Sequence, residues 1–369
     1  MAHESFEDEE VATLMNDAFI SIKVDREERP DIDGVYMEVA QMITGQGGWP
    51  LTIIMTPEKQ PFYAATYIPR ESRYGRIGMK ELVPRIKEIW ETDKTNIDET
   101  TQRIQNALTE PRSFGDQSDL TLDAIDFAFS QFSQRFDEKR GGFGSAPKFP
   151  SPHNLMLILR YWKRTGDDWA LHMVEKTLQA MRNGGIFDHI GFGFHRYSTD
   201  ANWLLPHFEK MLYDQASLMM AYTEIYQITR KNEYADIVRE IFEYVVRDLR
   251  SPEGAFYSAE DADSEGEEGK FYTWSQSEIE DVLSEEEASI VSQLFNIQKE
   301  GNFEDEATRE KTGFNIPYLK DSTDIITDLK MSKEELKILI DNAKMKLFIR
   351  RERRVRPSLD DKILTDWNG

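Results

Sequence analysis

The chain of 369 residues contains no cysteine. This absence excludes disulfide bonds, thiolate metal sites, and dithiol or thiol-nucleophile chemistry by the chain's own side chains. Long hydrophobic runs are missing too, and no window of about 18 apolar residues predicts a membrane-spanning helix. The acidic start, MAHESFEDEE, has no apolar run behind it and differs from a signal peptide. We therefore expect a cytoplasmic protein without a membrane partner.

Positive charge is scarce in this sequence. The chain has 45 lysines and arginines against 68 aspartates and glutamates, which gives a net charge of −23. This balance argues against a nucleic-acid partner, because phosphate binding needs a basic surface. One basic cluster, RRERRVRP at residues 350–357, follows a helical pattern, where cations suit the helix dipole. We interpret the cluster as a solvated helix end, and a polyanion site is the alternative.

The length predicts two domains, and the residue pattern changes near position 110. Residues 111–120 are polar, contain Pro, Gly and Ser, and are typical of a linker. Before the linker, the apolar periodicity predicts an α-β-α-β-β-α order, with helices at 3–17, 30–43 and 78–108 and strands at 18–25, 51–56 and 61–68.

After the linker the pattern is almost entirely helical. The predicted helices are 121–137, 152–165, 168–182, 206–230, 232–249, 275–295 with a break, and 331–352. A similar corner, a glycine turn and then an aromatic residue, recurs as KRGGFG, RNGGIFD and PEGAFYSAED. Repeated helical hairpins bury each other's faces in an open solenoid or in a closed toroid. The long, aromatic-rich loops favour the toroid with a lined cavity.

The stretch GQGGWPLTIIMT, residues 45–56, places Trp49 and Pro50 at the mouth of a predicted strand. Proline donates no ladder hydrogen bond, so the first position of a strand suits it. On these residues alone we expect an ordinary trans peptide bond before Pro50.

The segment HFEKMLYDQ, residues 207–215, follows Pro206 and is predicted to open the helix of 206–230. Its candidate catalytic residues are His207, Glu209 and Asp214. An H-x-E pattern also occurs in zinc deaminases, but the cysteine ligands of that site cannot exist here. We therefore expect no metal and no cofactor.

The glycine- and aromatic-rich stretch at residues 184–203 is predicted to form a cavity wall. His195, Arg196 and Trp203, together with Tyr213, are candidate ligand-binding residues. Aromatic faces with a few polar groups suit a small, sugar-like ligand. Structural hydrogen bonding is the alternative role for these side chains.

Several long motifs together resemble a known family. They are HESFEDEEVATLMNDAFISIKVDREERPDID, GQGGWPLTIIMTP, GGFGSAPKFP, FHRYSTDANWLLPHFEKMLYDQA and DDKILTDWNG. These motifs are similar to those of the bacterial YyaL-type proteins, homologues of the mammalian spermatogenesis-associated thioredoxin-like protein. The resemblance implies a thioredoxin-like domain over 1–110. Over 121–369 it implies a partial (α/α) barrel similar to six-hairpin glycosidases and N-acylglucosamine epimerases.

The family resemblance also predicts features of the chain ends and of the Trp49–Pro50 position, where a strand is predicted to begin. It implies that Trp49 and Pro50 form the cis-proline corner of a thioredoxin-like fold. In the family a Cys-x-x-Cys motif lies upstream of the first residue here, and the barrel continues with further hairpins. We therefore expect a fragment, an incomplete thioredoxin-like domain followed by an incomplete (α/α)6 toroid.

The acidic segment EDADSEGEEGKFY, residues 260–272, corresponds in the resemblance to a hairpin at the barrel rim. Asp261 and Asp263 then become candidate catalytic carboxylates and Glu260 a candidate ligand-binding residue, since glycoside chemistry needs paired carboxylates. The alternatives are a solvated acidic hairpin and a calcium loop. In a calcium loop, Tyr272 would stand where a bidentate glutamate belongs.

Together these features predict a carbohydrate-related function, either sugar binding or an epimerase- or hydrolase-like activity in the barrel. A thiol-redox or chaperone-like role of a longer form is one alternative, and a non-catalytic scaffold is another. The sequence specifies no protein partner.

Overall fold

The computed structural model describes residues 2–73, 75–109, 121–305, 308–319 and 331–369. The chain divides into two compact units, Met1–Ser118 and Asp119–Gly369, called here the first and second units. The predicted linker at 111–120 lies outside the described residues. Within the described parts of the chain, no helix combines the length and the apolar character that crossing a membrane requires.

The first unit combines helices with a two-stranded sheet. After a π-helical turn at Ala2–Phe6, its elements are α1 (Glu9–Ala18), α2 (Pro30–Thr44), β1 (Thr52–Met55), β2 (Pro61–Ala65), α3 (Met79–Thr92) and α4 (Lys94–Thr109). Strands β1 and β2 are antiparallel. Ile54 of β1 joins Val11 of α1 and Leu82 of α3 in one apolar core.

The strand predicted at 18–25 is absent from the structure. Residues 19–25 have no regular conformation, and Ile20 is 94% exposed. The alternation of Ile20 and Ile22 with polar residues predicted a half-buried strand. A strand also needs a neighbour that completes its hydrogen-bond ladder, and none of the described residues pairs with this segment. The prediction is therefore wrong.

The single helix predicted at 78–108 is in fact α3 followed by α4. Asp93 leaves the helical conformation, with φ −138° and ψ 56°. Its carboxylate accepts the backbone N–H of Asn96 at 3.3 Å, near the start of α4. Such a local side-chain bond competes with continuation of a helix. The apolar periodicity runs through both helices, so it did not reveal the break.

The second unit is mainly helical. Its helices are α5 (Asp123–Arg135), α6 (Pro152–Thr165), α7 (Asp168–Asn183), α8 (Leu212–Thr229), α9 (Asn232–Tyr244), α10 (Gln276–Val282), α11 (Glu285–Leu294), α12 (Lys333–Arg351) and α13 (Thr365–Asn368). Helix α6 packs on α7, and α8 packs on α9 and α6. These hairpins share a buried core that includes Leu155, Leu178, Leu218 and Ile241.

Short strands lie between the helices of the second unit. They are β3 (Tyr197–Ser198), β4 (Pro206–His207), β5 (Lys210–Met211), β6 (Ala259–Glu260), β7 (Asp263–Ser264), β8 (Glu267–Glu268), β9 (Trp274–Ser275), β10 (Phe314–Asn315) and β11 (Leu359–Asp360). Strand β6 lies between β5 and β11 in an antiparallel sheet. Strand β3 pairs with β4, and β7 with β8.

The helix predicted at 206–230 starts later than expected. Residues 206–211 form β4 and β5, and α8 begins at Leu212. Lys210 of β5 lies opposite Glu260 of β6, and a cross-strand pair of opposite charges favours the strand over a helix. The helix predicted at 232–249 likewise ends as α9 at Tyr244, and a π-helical turn occupies Val245–Leu249.

The buried core of the second unit yields a stability prediction. Leu178 is fully buried, so Leu178→Ala should lower the free energy of unfolding by about 2–5 kcal/mol through lost apolar contacts and a cavity. Urea unfolding followed by tryptophan fluorescence measures this loss. Ile338→Ala, at an exposed position on α12, is the control and should cost far less. Equal losses in the two variants would contradict the assigned core.

Candidate active site

A cluster of buried charges lies at the centre of the second unit. The carboxylate of Asp188 accepts hydrogen bonds from Lys210 Nζ at 2.8 Å and from Arg351 Nη1 at 2.9 Å. The backbone N–H groups of Ile190 and Gly191 donate to the same carboxylate, both at 3.0 Å. All three charged side chains are buried. Burial alone would raise the pKa of Asp188, but the charges of Arg351 and Lys210 outweigh it and hold this pKa well below its usual range.

The three charges come from distant parts of the chain. Asp188 follows α7, Lys210 lies in β5, and Arg351 is the last residue of α12, where a cation suits the helix dipole. Gly191 leaves room for Arg351, because a Cβ atom at this position would clash with the guanidinium. The cluster therefore joins a loop, a strand and a helix end.

Two predicted ligand-binding residues lie in this interior. Glu260 accepts hydrogen bonds from the hydroxyls of Tyr244 at 3.2 Å and Tyr272 at 3.1 Å. His195 donates from Nδ1 to the carbonyl of Phe208 at 2.8 Å. Burial, with a contribution from the charge of Lys210, lowers the pKa of His195 to about 3, so the ring is neutral. Both side chains make structural contacts rather than facing solvent.

Trp203, a third predicted ligand-binding residue, also lies in the core. Its side chain is buried, and its indole N–H donates to the carbonyl of Arg140 at 3.1 Å. The ammonium of Lys148 lies 5.7 Å from the ring centroid. The structure thus places Trp203 in the core, hydrogen-bonded to the backbone.

A second group of charges lies closer to the surface, and we call it the rim cluster. It consists of Arg196, His207, Glu209, Tyr213, Asp214 and Glu268. The guanidinium of Arg196 donates to Glu209 Oε2 at 2.6 Å, and the His207 imidazole donates from Nδ1 to Glu268 Oε1 at 2.6 Å. His207 Nε2 lies 3.6 Å from Glu209 Oε2. The structure thus brings five of the predicted site residues together and adds Glu268.

Asp214 is the unusual member of the rim cluster. It lies in the first turn of α8 and is only 8% exposed. Its Oδ2 atom has no hydrogen-bond partner among the described residues. Burial raises the pKa of Asp214 to about 7, with a further rise from Glu209 and an opposing effect of Arg196. This carboxyl group is therefore largely protonated below neutral pH.

Glu209 is shifted in the opposite direction. Burial would raise its pKa, but the neighbouring His207 and Arg196 outweigh burial and lower it. Glu209 is therefore ionised where Asp214 still carries its proton. Two carboxyl groups whose surroundings push their pKa values apart can serve as an acid and a base in one site.

Aromatic rings extend the rim cluster on two sides. Tyr197 stacks on His207 with centroids 5.1 Å apart, and Phe149 stacks on Tyr197 at 4.7 Å. On another side, Tyr213 interacts with Arg196, and its ring meets Trp367 edge-on at 4.8 Å. Apolar ring surface therefore lies beside the charged groups.

The remaining predicted catalytic residues, Asp261 and Asp263, are exposed. The Asp261 carboxylate accepts the N–H of Ala262 at 2.7 Å, a local bond. Asp263 lies opposite Glu268 in the β7–β8 hairpin, and Glu268 accepts a hydrogen bond from His207. Among the described residues, no group of three or more histidine, aspartate or glutamate side chains could hold a metal ion.

The Trp49–Pro50 corner belongs to the first unit. Its peptide bond is cis, as the resemblance implies and contrary to the expectation from the local residues alone. The indole N–H of Trp49 donates to Asp33 at 2.9 Å, and the Arg26 guanidinium lies 4.3 Å from the centre of the ring.

Two surface depressions lie away from the predicted site residues. One of about 240 Å³ is lined by residues of α1 and α3 in the first unit. The other, of about 430 Å³, lies between α11 and α12 in the second unit. Neither contains a residue of the rim cluster.

Sequence reasoning missed Lys210, Arg351 and Glu268 as members of these clusters. Lys210 precedes the apolar residues Met211 and Leu212, whereas Arg351 lies between Arg350 and Glu352, in the basic segment that was interpreted as a solvated helix end. Glu268 was one of many acidic residues in the segment EDADSEGEEG, and nothing local distinguished it. Phe149 and Tyr197 lie in two of the motifs that carry the family resemblance, but no sequence pattern linked these two residues to each other.

The buried charge cluster yields a second stability prediction. Asp188→Asn leaves Lys210 and Arg351 buried without their shared counter-charge, which should cost about 3–5 kcal/mol of unfolding free energy. Urea unfolding measures the loss. Asp341→Asn, which breaks the exposed Lys337–Asp341 pair at 2.7 Å, is the control and should have little effect. A loss in Asp188→Asn no larger than that of the control would contradict the role of the cluster.

The His207 contacts yield a pH prediction. Burial would lower the pKa of His207, but the carboxylates of Glu209 and Glu268 outweigh burial and raise it to about 9. The stabilisation from these contacts should be fully present below the unfolded pKa of about 6.5 and be lost as the pH rises through about 9. Histidine NMR titration measures the pKa directly, and Glu268→Gln should lower it. A His207 titration near its ordinary value would contradict the geometry.

Residues 1–109 match the family described as Thioredox_DsbH, protein of unknown function, DUF255. Human spermatogenesis-associated protein 20 is 38% identical over 397 aligned residues, which cover 100% of this chain and 50% of the human protein. An uncharacterized protein of Caenorhabditis elegans is 34% identical over 393 residues, covering 100% of this chain and 53% of that protein. The chain spans about half the length of the curated relatives it matches.

Solved structures of sugar enzymes are distantly similar. A sugar epimerase from a ruminal bacterium matches with a TM-score of 0.35 and 15% identity, covering 66% of this chain and 77% of that chain. Cellobiose 2-epimerase from Bacillus thermoamylovorans matches with a TM-score of 0.34 and 16% identity, covering 38% and 40% of the two chains. Similarity at this level does not indicate what the rim cluster binds or which reaction it catalyses.

The predicted fold class, a thioredoxin-like unit followed by an α/α unit, is confirmed. The resemblance inferred from the sequence motifs is confirmed as well. Over its whole length the chain is similar to spermatogenesis-associated protein 20, and residues 1–109 are the part that matches DUF255.

Proposed function

We propose that the second unit binds a neutral carbohydrate at the rim cluster and catalyses proton transfer on it. Asp214 is the general acid and Glu209 the general base. The observation that carries this proposal is the contrast between two carboxyl groups of one segment, Glu209 paired with Arg196 at 2.6 Å and Asp214 buried with an Oδ2 atom that has no hydrogen-bond partner among the described residues, which shifts their pKa values in opposite directions. Glycoside hydrolysis and sugar epimerisation both require a proton donor and a proton acceptor near one ring.

Each member of the cluster has a definite part in this chemistry. The buried Asp214 carboxyl keeps its proton near neutral pH and can donate it to a substrate oxygen or carbon. Glu209, kept ionised by Arg196 and His207, can accept a proton. The His207–Glu268 bond holds the imidazole beside Glu209.

The charges of the rim cluster favour a neutral ligand. Arg196 pairs with Glu209, and His207 pairs with Glu268, so the cations already have counter-charges. An anionic substrate would have to compete with these carboxylates. The aromatic rings beside the cluster supply apolar faces on which a sugar ring can pack.

A thiol-redox role of a longer protein is the second candidate, favoured by the match of residues 1–109 to Thioredox_DsbH. Disulfide exchange requires a thiolate, and this chain has no cysteine. The dithiol of such an activity would therefore belong to residues outside this sequence, whereas the acid–base pair lies within it.

The carbohydrate proposal is tested with the whole chain, Asp214→Asn and Glu209→Gln. A panel of neutral mono-, di- and trisaccharides is assayed for sugar binding by calorimetry, for bond cleavage by release of reducing ends, and for epimerisation by deuterium uptake from solvent. We expect each variant to keep most of its sugar affinity and to lose about 10²–10⁴-fold in kcat, the usual contribution of an acid or base.

The pH profile provides an independent measurement. Since Asp214 must be protonated, kcat/KM should fall as the pH rises through about 7. Asp341→Asn on α12 is the matched carboxylate control and should leave the rate unchanged. If no sugar binds, the carbohydrate proposal is wrong. Binding without turnover would indicate a non-catalytic sugar-binding unit.

A further inference from the structure

We infer that two copies of this chain associate through α12, which pairs with α12 of the second copy as a short, parallel, two-stranded coiled coil. The inference adds an interaction surface to the second unit and is separate from the chemistry proposed for the rim cluster. Three features of α12 carry it: an exposed apolar stripe, an asparagine inside that stripe, and charges of opposite sign on its two flanks.

Helix α12 is apolar on two opposite sides. One side packs into an apolar core of the second unit with four buried residues, which are Leu336, Ile340, Ala343 and Leu347. On the opposite side, Ile338 is 63% exposed, Met345 is 62% exposed and Ile349 is 53% exposed. With 3.6 residues per turn, these three side chains, called here the α12 stripe, lie within about 40° of one another around the helix axis. Since a surface helix ordinarily turns polar residues outward, the stripe indicates a partner.

Asn342 gives the α12 stripe the pattern of a coiled-coil seam. Ile338 and Met345 are seven residues apart, as are Asn342 and Ile349, and the two pairs have the spacing of heptad positions d and a. An asparagine at a single a position selects a register and a two-stranded state at some cost in stability. In the proposed pair, Asn342 therefore meets Asn342 of the second copy, where each amide has a hydrogen-bond partner.

The charges beside the α12 stripe select the parallel orientation. Glu334 and Asp341 lie along one flank, and Lys346 lies along the other. In a parallel pair each flank meets the opposite flank of the second helix, so Asp341 faces Lys346 of the second copy, and the symmetry forms this pair twice. In an antiparallel pair each flank would face its own copy, which would bring the acidic side chains together.

The contacts that these charges make within one copy leave them available for the second. Lys337 and Asp341 form a pair at 2.7 Å between two exposed side chains, and such a pair contributes little. Lys346 donates to both carboxylate oxygens of Glu287, at 2.6 and 2.8 Å, and an ammonium has a third donor. The depression of about 430 Å³ between α11 and α12 is lined in part by Asn342 and Lys346, so it has room for side chains of the second helix.

The seam is short, and this limits the strength of the association. Glu335 and Glu352 occupy the next core positions on either side and would face their own copies, so the contact is confined to residues 338–349. The net charge of −23 on each copy adds repulsion. We therefore expect a weak dimer that dissociates on dilution. Variants of Ile338 and Asp341 studied in dilute solution then report on the single copy.

The test is sedimentation velocity of the whole chain at about 1–500 µM protein and about 0.15 M salt, which screens the net repulsion. We expect a monomer at the lowest concentrations and a dimer at the highest. Met345→Glu should weaken association by at least about 10-fold, because two carboxylates then face each other in the seam. Met220→Glu on α8 is the matched control, since Met220 is 54% exposed and the net charge changes equally. It should leave association unchanged.

Two charge reversals test the identity of the partner and its orientation. Asp341→Lys and Lys346→Asp should each weaken self-association, because like charges then face each other twice. An equimolar mixture of the two variants should associate at least about 10-fold more tightly than either variant alone, since each restores the charge that the other needs. Recovery in the mixture also separates loss of contact from loss of folding.

Three results would contradict the inference. A chain that stays monomeric over the whole concentration range would overturn it and leave the α12 stripe to a different partner. Equal effects of Met345→Glu and Met220→Glu would show that any dimer uses another surface. A mixture of the charge-reversed variants that associates no more tightly than each variant alone would overturn the parallel pairing. Each of these results would leave the proposed carbohydrate function standing.

Discussion

The buried carboxylate of Asp188 is the interaction on which the second unit depends. It accepts hydrogen bonds from Lys210, from Arg351 and from two backbone N–H groups. Arg351 lies 163 positions after Asp188 in the chain. A buried ion pair need not add net stability, because desolvation offsets the attraction, but removal of one partner leaves an uncompensated charge. Its effect here is to specify one arrangement of a loop, a strand and a helix end.

That arrangement positions the rim cluster. Lys210 follows Glu209 directly and lies three residues after His207, so the buried ammonium anchors the segment of β4 and β5 in which both side chains lie. Strand β5 ends at Met211, directly before α8, whose first turn carries Asp214. The different surroundings of Asp214 and Glu209 then shift the pKa values of their carboxyl groups in opposite directions. Asp214 is largely buried, which raises its pKa to about 7, whereas Glu209 lies beside two cationic groups, which lower its pKa.

The two units differ in what their side chains can do. The first unit has the cis-proline corner and the DUF255 match but no thiol with which to perform redox chemistry. The second unit contains titratable groups whose environments differ over short distances. Chemistry within this chain is therefore expected in the second unit, and any redox activity of a longer relative would draw on residues beyond this sequence.

The sequence by itself determined the two-part organisation, most of the helices and the absence of thiol chemistry, because apolar periodicity and composition are local properties. The sequence also indicated four candidate site residues, His207, Glu209, Tyr213 and Asp214, because all of them lie in one segment. Only the tertiary structure decided that residues 19–25 are not a strand, that Lys210 lies in a strand, and that Glu260 and His195 face the interior. Hydrogen-bond partners and burial depend on residues far apart in the chain. The pKa of Asp214, like the pairing of His207 with Glu268, exists only once those distant residues meet.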